Sequence, residues 1–358
     1  MYSELKDMKV IGMAAAVSNT WDSVREFSTE GEAVINKFIK TTGVEGRYSA
    51  NPRQCTSDFC FAAAEKVLAE KKIPREEVGV LIFVTQTSDY RIPSTACVLQ
   101  NRLGLSTSCI AFDVNLGCSG FTYGINIVGS LLMSSQTKYG LLLAGDTSAR
   151  EKSQKIRRKF GHSAELLFGD SGTATLIENT ASDSILVSSH TDGKGYKAII
   201  DPYDGFRNAD RPASEIPGTH MDEIEVFNFA TSEATAQIND YMEKQEKNPE
   251  DYDCLVLHQA NLMILKRIGK KTGFPKEKVL ISLNRFGNTS SSSIPITLVD
   301  QYGERNDEEM INALCCGFGV GLSWSTVALP INVKDIFPLV HTDEFFDDGY
   351  PREEIEEE

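Results

Sequence analysis

The stretch that decides the fold is Ala111–Tyr123, AFDVNLGCSGFTY. The run Ile110–Val114 (IAFDV), which reads as a buried strand, stops, Asn115-Leu116-Gly117 turns, and Cys118 stands where an apolar helical run, Gly120–Ser134, begins. Strands that pass through a short turn into a helix are the unit of an α/β protein. Working outward, the rhythm repeats. Val80–Thr85 (VLIFVT), Leu141–Ala144 (LLLA) and Thr173–Ile177 (TATLI) read as buried strands, and Ser57–Lys71 and Ser94–Leu103 as helices.

The second half has the same rhythm. A long helix is expected over Asp222–Lys244, a strand at Cys254–Leu257, a helix at Ala260–Lys271, a strand at Val279–Ser282 and a helix at Ser291–Gln301. Two closing strands, Ile311–Cys316 and Leu322–Leu329, flank a glycine-rich turn. Each half has a strand running into polar residues before a helix, VLIFVTQT at 80–87 and CLVLHQAN at 254–261, which hints at a duplicated unit. The division expected is 1–180, carrying the cysteine, 181–330, carrying His258 and Asn288, and an acidic tail 331–358. Loops are expected at Glu151–His162 and Tyr203–Pro217.

The chain has 358 residues, 36 basic and 51 acidic, for a net charge of −15. The tail from Ile331 holds ten acids and two bases, a net of −8. Its aromatics suggest a segment draped on the body, with a disordered acidic end. An acidic chain lacks the basic footprint that nucleic acid demands. No apolar run approaches the roughly 18 residues of a membrane span, and the start MYSELKDMKV has no signal-peptide core. A cytoplasmic protein with eight reduced cysteines is expected.

Cys118 has the context of a nucleophile elbow. Glycines on both sides permit a sharp turn, and the positive end of the helix dipole favours the thiolate. The other cysteines, Cys55, Cys60, Cys97, Cys109, Cys254, Cys315 and Cys316, read as buried. Adjacent Cys315 and Cys316 lie in a strand run and should face opposite ways. No CxxC pair has metal spacing, so no metal is expected. A thiol nucleophile needs partners. His258 ends the strand CLVL, where α/β proteins place site residues. Asn288 follows in a Gly/Ser turn, where asparagine also serves simply to make the turn. The glycines of Gly317-Phe318-Gly319-Val320-Gly321 could present backbone N–H groups to an oxyanion, or could simply make a tight hairpin. Together these residues suggest acyl transfer through a thioester. A papain-like protease shares the Cys–His–Asn order, but its C-G-[SA]-C-[WY] signature is absent.

The blocks DVNLGCSGFTYGI, LFGDSGTATL, HQANLMILKRIGKKTG, RFGNTSSSSIP and FGVGLSWS, in order over roughly residues 8–329, resemble the β-ketoacyl-acyl-carrier-protein synthase III family of the thiolase superfamily. The resemblance implies a five-layered αβαβα fold of two similar halves, a homodimer, and no cofactor beyond thioester substrates. It implies that Cys118 takes an acyl group from a thioester, usually of coenzyme A. Malonyl-acyl carrier protein then loses carbon dioxide, and its carbanion attacks the acyl-enzyme. His258 and Asn288 would hold the enolate. The backbone of Cys118 and of Gly319, Val320 and Gly321 would hold the thioester oxygen.

The chain departs from the family pattern at substrate-facing positions. Phe38 and Thr41 stand where a tryptophan and an arginine meet coenzyme A, and Glu223-Ile224 stands for Gly-Asn at the tunnel mouth. The acyl donor is therefore open between a coenzyme A and a carrier-protein thioester. Met263 and Asn228 replace an arginine and a lysine, while Lys266, Arg267, Lys270 and Lys271 offer a basic helix to acidic carrier protein. A second basic run is Arg150–Lys159, with Lys152, Lys155, Arg157 and Arg158. Ile92 takes the place of a phenylalanine that reaches into the partner's acyl pocket, which implies room for a longer acyl chain unless Tyr90 or Phe121 fills it. Transfer of the acyl group to a hydroxyl or amine, and a silent partner subunit, are the other readings.

Overall fold

The computed structural model describes residues 1–28, 30–147, 166–182, 184–202, 206–208, 210–211 and 219–350. The basic run Arg150–Lys159, the loop at 151–162, most of the loop at 203–217 and the acidic end 351–358 lie outside the described residues.

Two mixed sheets carry the architecture. The strands are β1 (Tyr2–Leu5), β2 (Met8–Val17), β3 (Val78–Val84), β4 (Ile110–Val114), β5 (Tyr139–Asp146), β6 (Ser171–Asn179), β7 (Ile185–Thr191), β8 (Cys254–Leu257), β9 (Met310–Gly319), β10 (Ser323–Asn332) and β11 (Val340–His341). The first sheet has the order β11-β2-β6-β5-β3-β4 and the second β1-β7-β10-β9-β8. Eight helices matter here: α1 (Glu32–Thr42), α2 (Thr56–Glu70), α3 (Thr95–Arg102), α4 (Gly120–Ser135), α5 (Glu223–Phe229), α6 (Thr235–Lys244), α7 (Leu262–Lys271) and α8 (Ser293–Tyr302).

Three apolar cores stack these elements into five layers. The central core joins inward residues of both sheets, such as Val80, Ile82, Val256 and Val327, to Phe121, Ile125 and Val128 of α4 and Ile294 and Leu298 of α8. Those two helices form the middle layer. The outer face of the first sheet packs on Phe59, Ala63 and Val67 of α2 and Leu99 of α3. The outer face of the second packs on Ile238 and Tyr241 of α6 and Leu265 and Ile268 of α7. Cys315 belongs to the central core and Cys316 to the outer one, so the adjacent thiols do face opposite ways. Fully buried strands explain why β3 and β5 read as continuous apolar runs.

The halves share a connectivity. β3 runs parallel to β4 and β5, while β6 is antiparallel to β5 and to β2. Likewise β8 is parallel to β9, and β10 is antiparallel to β9 and to β7. The expected strand at Val279–Ser282 is reduced to one parallel bridge, Leu255 to Val279. A 3₁₀ turn at Lys276–Lys278 leads into it, and the Gln259 side chain takes the Ser282 N–H that a ladder would have used. The ends of the chain cross over: β1 joins the second sheet, and β11 joins the first, parallel to β2.

Beyond β11 the tail is fastened down. Gln54 Nε2 donates to the carbonyls of Thr342 and Glu344, and the Phe346 N–H donates to Asp58. Arg102 lies between the rings of Phe61 and Phe346, at 4.5 and 4.7 Å from their centroids, and pairs with Asp58 at 3.0 Å. The Tyr90 hydroxyl donates to Asp348 at 2.8 Å.

Candidate active site

The site begins at the elbow. After β4 the Gly120 N–H bonds back to the Gly117 carbonyl, and α4 starts just beyond Cys118. The strand end of β9 passes directly over the thiol. A Cβ on Gly319 would lie 2.6 Å from Cys118 Cβ and 2.8 Å from Sγ, so no other residue fits that approach. The Val320 N–H lowers the pKa of that thiol. Gly319 and Val320 are thus beside Cys118 as the sequence suggested, and Gly321 follows at φ +138°, a conformation suited to glycine.

The resting thiol differs from the sequence expectation. Burial pushes the Cys118 pKa up to about 11, with Asp146 adding to it, against the Val320 N–H, its own N–H and the Ser290 hydroxyl. At neutral pH Cys118 is a thiol. The helix-terminus argument for a thiolate omitted the desolvation of a covered site. The other cysteines are also not uniformly buried. Cys97 is exposed, and Cys55 and Cys109 are half-buried, because α3 and the start of β4 lie at the rim.

His258 follows β8 and is 2 % exposed. Its backbone N–H donates to the Cys316 carbonyl, and its ring meets Phe318 edge-on, 5.6 Å between centroids. Burial lowers its pKa to about 3, so the imidazole is neutral. Nδ1 lies 2.8 Å from Ser293 Oγ, and that hydroxyl also donates to the Ser290 carbonyl at 2.8 Å. Asn288 sits after Gly287, which has φ +64°. Its N–H donates to the Leu167 carbonyl, and its own carbonyl accepts from Gly169. Its Oδ1 accepts the Ser290 N–H at 2.9 Å, which leaves Nδ2 to the site.

Ser290 ties these residues together, and the sequence reading missed it. Its N–H holds Asn288, its carbonyl accepts from the Ser293 hydroxyl that meets His258 Nδ1, and its hydroxyl lowers the pKa of the Cys118 thiol. Ser290 has φ +53°, uncommon for a residue with a Cβ and sustained only where the surroundings fix it. Asp146, at the end of β5, was also missed. It accepts the N–H of Ser291 at 3.1 Å, the Ser291 hydroxyl at 2.8 Å and the Gln86 N–H at 2.8 Å. The only signal in the sequence was an acid closing the apolar run Leu141–Ala144 two residues on.

Other expected site residues lie farther out. Phe38 and Thr41 are half-buried on α1; Glu223 and Ile224 are exposed at the start of α5, Ile224 at 75 %. An open trough of about 710 Å³ runs between α5 and α7, lined among others by Phe227, Asn228, Met263, Lys266, Arg267 and Lys270. Lys271 reaches the same trough, but its Nζ donates to the Thr231 carbonyl at 2.6 Å. Phe121 is buried in the central core, three residues after Cys118. Ile92 is not brought to the site of its own chain: it is 85 % exposed.

A half-buried thiol closed over by Gly319, a neutral imidazole and a carboxamide, at the inner ends of two duplicated sheets, define a thiolase-fold acyltransferase. The sequence pattern of 3-oxoacyl-[acyl-carrier-protein (ACP)] synthase III matches residues 112–195, and that of its C-terminal portion matches residues 242–331. The chain is 33 % identical over 302 residues to a β-ketoacyl-[acyl-carrier-protein] synthase III of Clostridium perfringens, covering 83 % of this chain and 91 % of that one. It is 29 % identical to one of Pectobacterium atrosepticum, over 89 % and 98 % of the two chains. The crystal structure of a 3-oxoacyl-(acyl-carrier protein) synthase from Burkholderia xenovorans superposes with a TM-score of 0.86 at 31 % identity, over 96 % and 99 %. The chain belongs to the 3-oxoacyl-[acyl-carrier-protein] synthase III family.

Proposed function

We propose that this protein performs a decarboxylative Claisen condensation in fatty-acid biosynthesis, priming a carrier-bound chain. Cys118 Sγ attacks an acyl thioester; the carbon–sulfur bond to the incoming thiol breaks, and that thiol leaves with the proton given up by Cys118. The N–H groups of Cys118 and Val320 hold the oxyanion that forms meanwhile. Malonyl-acyl carrier protein then enters. Its carboxylate departs as carbon dioxide, and the electron pair left on carbon is stabilised as an enolate by hydrogen bonds from His258 and Asn288. The carbon attacks the acyl carbonyl, and the sulfur of Cys118 leaves and recovers a proton.

Neutral donors suit this step because a negative group would repel the enolate. Asn288 presents Nδ2. His258 presents Nε2–H when the Ser293 hydroxyl turns its proton onto Nδ1. The observation that supports the reading is that Gly319 closes over the Cys118 thiol while Asn288 is held by the Ser290 N–H and His258 reaches the same residue through the Ser293 hydroxyl. No metal takes part in this scheme, and among the described residues no cluster of metal-ligating side chains occurs.

The trough between α5 and α7 suits acidic carrier protein, since Lys266, Arg267 and Lys270 line it. The halves 1–180 and 181–330 act as one duplicated unit, and the described part of the tail, up to Asp348, is strapped across it. The exposed edge strand β4, with Ile110 and Phe112 41 % and 37 % exposed, and exposed Ile92 support pairing into a homodimer. No described helix is long and apolar enough to cross a membrane, and we place the enzyme in the cytoplasm. The test is mass spectrometry after incubation with acyl thioesters, then carbon dioxide release with malonyl-acyl carrier protein. An adduct on Cys118 with carbon dioxide release supports condensation. An adduct passed to a hydroxyl or amine without carbon dioxide overturns it.

A further inference from the structure

Ser119 stands next to the nucleophile, and the condensation scheme gives it no part. Serine at the start of a helix usually caps it, by accepting a backbone N–H with its hydroxyl. Ser119 occupies the cap position of α4, yet no backbone N–H among the described residues bonds its hydroxyl. The hydroxyl is turned instead toward the other half of the molecule. Ser119 Oγ lies 2.7 Å from Ser323 Oγ, 204 residues later in the chain, and both side chains are buried. Ser323 Oγ in turn donates to the Val320 carbonyl at 2.7 Å.

Proton counting fixes the direction of this chain. A hydroxyl carries one proton, and a carbonyl can only accept. Ser323 gives its proton to Val320, so the short contact between the serines needs the proton of Ser119. The order is Ser119 O–H to Ser323 Oγ, then Ser323 O–H to the Val320 carbonyl. The chain starts on the residue after Cys118 and ends on Val320.

We propose that Ser119 and Ser323 are positioning residues for acyl transfer: the chain they form sets the Val320 N–H against the Cys118 N–H, so that both meet one oxyanion. The proposal rests on the reading of Cys118 as the acylated nucleophile under those two donors. The donors come from opposite halves of the fold, Cys118 from the turn into α4 and Val320 from the turn between β9 and β10. An oxyanion hole works because its donors are in place before charge develops. Both flanks of the second turn are fixed. On one, β9 lies directly on the elbow: a Cβ on Gly317 would come 2.8 Å from Ser119 Cα and 2.9 Å from the Cys118 carbonyl oxygen. On the other, Leu322 exchanges two backbone hydrogen bonds with Asp192, at 2.9 and 3.0 Å. Val320 and Gly321 lie between these supports, and a glycine at φ +138° brings little stiffness of its own. The Ser323 bond to the Val320 carbonyl spans this gap, and Ser119 anchors it to the elbow.

The test compares two reactions of Cys118, each read by mass at its own peptide because Cys97 is also exposed. Acylation by an acyl thioester passes through an oxyanion. Alkylation by iodoacetamide displaces iodide from a saturated carbon and needs no oxyanion donor. Losing such a donor outright costs on the order of 10² or more, and a displaced donor costs less. In Ser323→Ala the kcat of acylation should fall by on the order of ten-fold, with KM for the acyl thioester and the alkylation rate unchanged. Ser119→Ala should lower the same kcat by less, because Ser323 keeps its bond to Val320; this variant decides the matter if Ser323→Ala does not fold. The double variant should be no slower than Ser323→Ala, because both hydroxyls act through one carbonyl. A loss that is carried by KM or shared by alkylation marks a role in the fold alone and overturns the proposal. Wild-type acylation in both single variants, or losses that multiply in the double variant, overturns it as well. A wild-type adduct on a cysteine other than Cys118 overturns instead the assignment on which the proposal rests.

Discussion

The two halves place the same connection to different use. In the first, β4 leads through a turn to Cys118 and then into the central helix α4. In the second, the single bridge at Val279 leads through a turn to Asn288 and then into the central helix α8. Cys118 and Asn288 are thus topological counterparts. So are the residues after β3 and β8: Thr85-Gln86 on one side, His258-Gln259 on the other. The first half spends that position on holding Asp146, and the second uses it for the imidazole. Duplication supplied two inward-facing strand ends. The proposed mechanism divides them, with the covalent bond in one half and neutral donors in the other.

The sharpest way to break this division is to remove each side's contribution. Cys118→Ala should abolish the acyl adduct altogether, as seen by intact mass after incubation with acyl thioester. An adduct that persists in the variant would move the nucleophile elsewhere.

Removing a donor from the second half should leave acylation measurable and lower condensation by on the order of 10², as loss of one oxyanion donor does. His258→Ala and Asn288→Ala are the variants, and carbon–carbon bond formation is the readout. Equal losses of acylation and condensation would erase the distinction between the halves. The same assignment fixes a pH dependence. Burial holds the His258 pKa at about 3, below its ordinary 6.5, so kcat for condensation should show no step from this residue between pH 5 and 8. Stability has the opposite sensitivity. The unfolded chain takes up a proton below about 6.5 that the folded site refuses, so His258 contributes stability above that pH and loses it as pH falls toward 3.

How far the sequence reached depends on what kind of signal each residue carries. The buried strands β3, β5 and β8 were legible because a strand covered on both faces is a continuous apolar run; β4, read as buried too, is an edge strand that leaves Ile110 and Phe112 exposed. Cys118, His258 and Asn288 were legible because each closes such a run or follows a glycine. The strand β2, though equally buried, was not read: MKVIGMAAAV is interrupted by Gly12 and rich in alanine, which lacks β propensity. The helix α1 was used only as a place for Phe38. Ser290 stayed hidden within four consecutive serines, since only the backbone at φ +53° singles it out. Asp146 stayed hidden because its partners come from 60 and 145 residues away.

A smaller effect should come from the outer surface. Lys266→Glu with Lys270→Glu reverses two charges that line the trough. KM for malonyl-acyl carrier protein should rise roughly ten-fold at low salt, and the difference should shrink as salt screens it. Lys271 is left out because its ammonium already bonds the Thr231 carbonyl. An unchanged KM would move docking away from α7, with the basic run Arg150–Lys159 the next charges to reverse.

The smallest effect concerns acyl length, and it joins the halves of two molecules. Ile92 is 85 % exposed in one chain, on the loop that leaves β3, and nothing among the described residues of its own chain covers it. The neighbouring Tyr90 does not fill a pocket, because its hydroxyl is held by Asp348 of the tail. Phe121 is packed into the central core, where it belongs to the fold whatever acyl group is bound. If two chains pair along β4, Ile92 enters the partner's acyl site, where isoleucine is shorter than phenylalanine and restricted by its branch at Cβ. The freed space admits more than an acetyl group. Each added methylene that is buried is worth about 0.8 kcal/mol, a factor of about four in kcat/KM. Ile92→Phe should therefore turn the preference toward shorter chains by a few-fold per carbon, measured with acyl thioesters of two to twelve carbons. Acetyl preferred by the wild type and unaltered in the variant would show that Ile92 stays outside the acyl site and that the pocket is closed from within one chain.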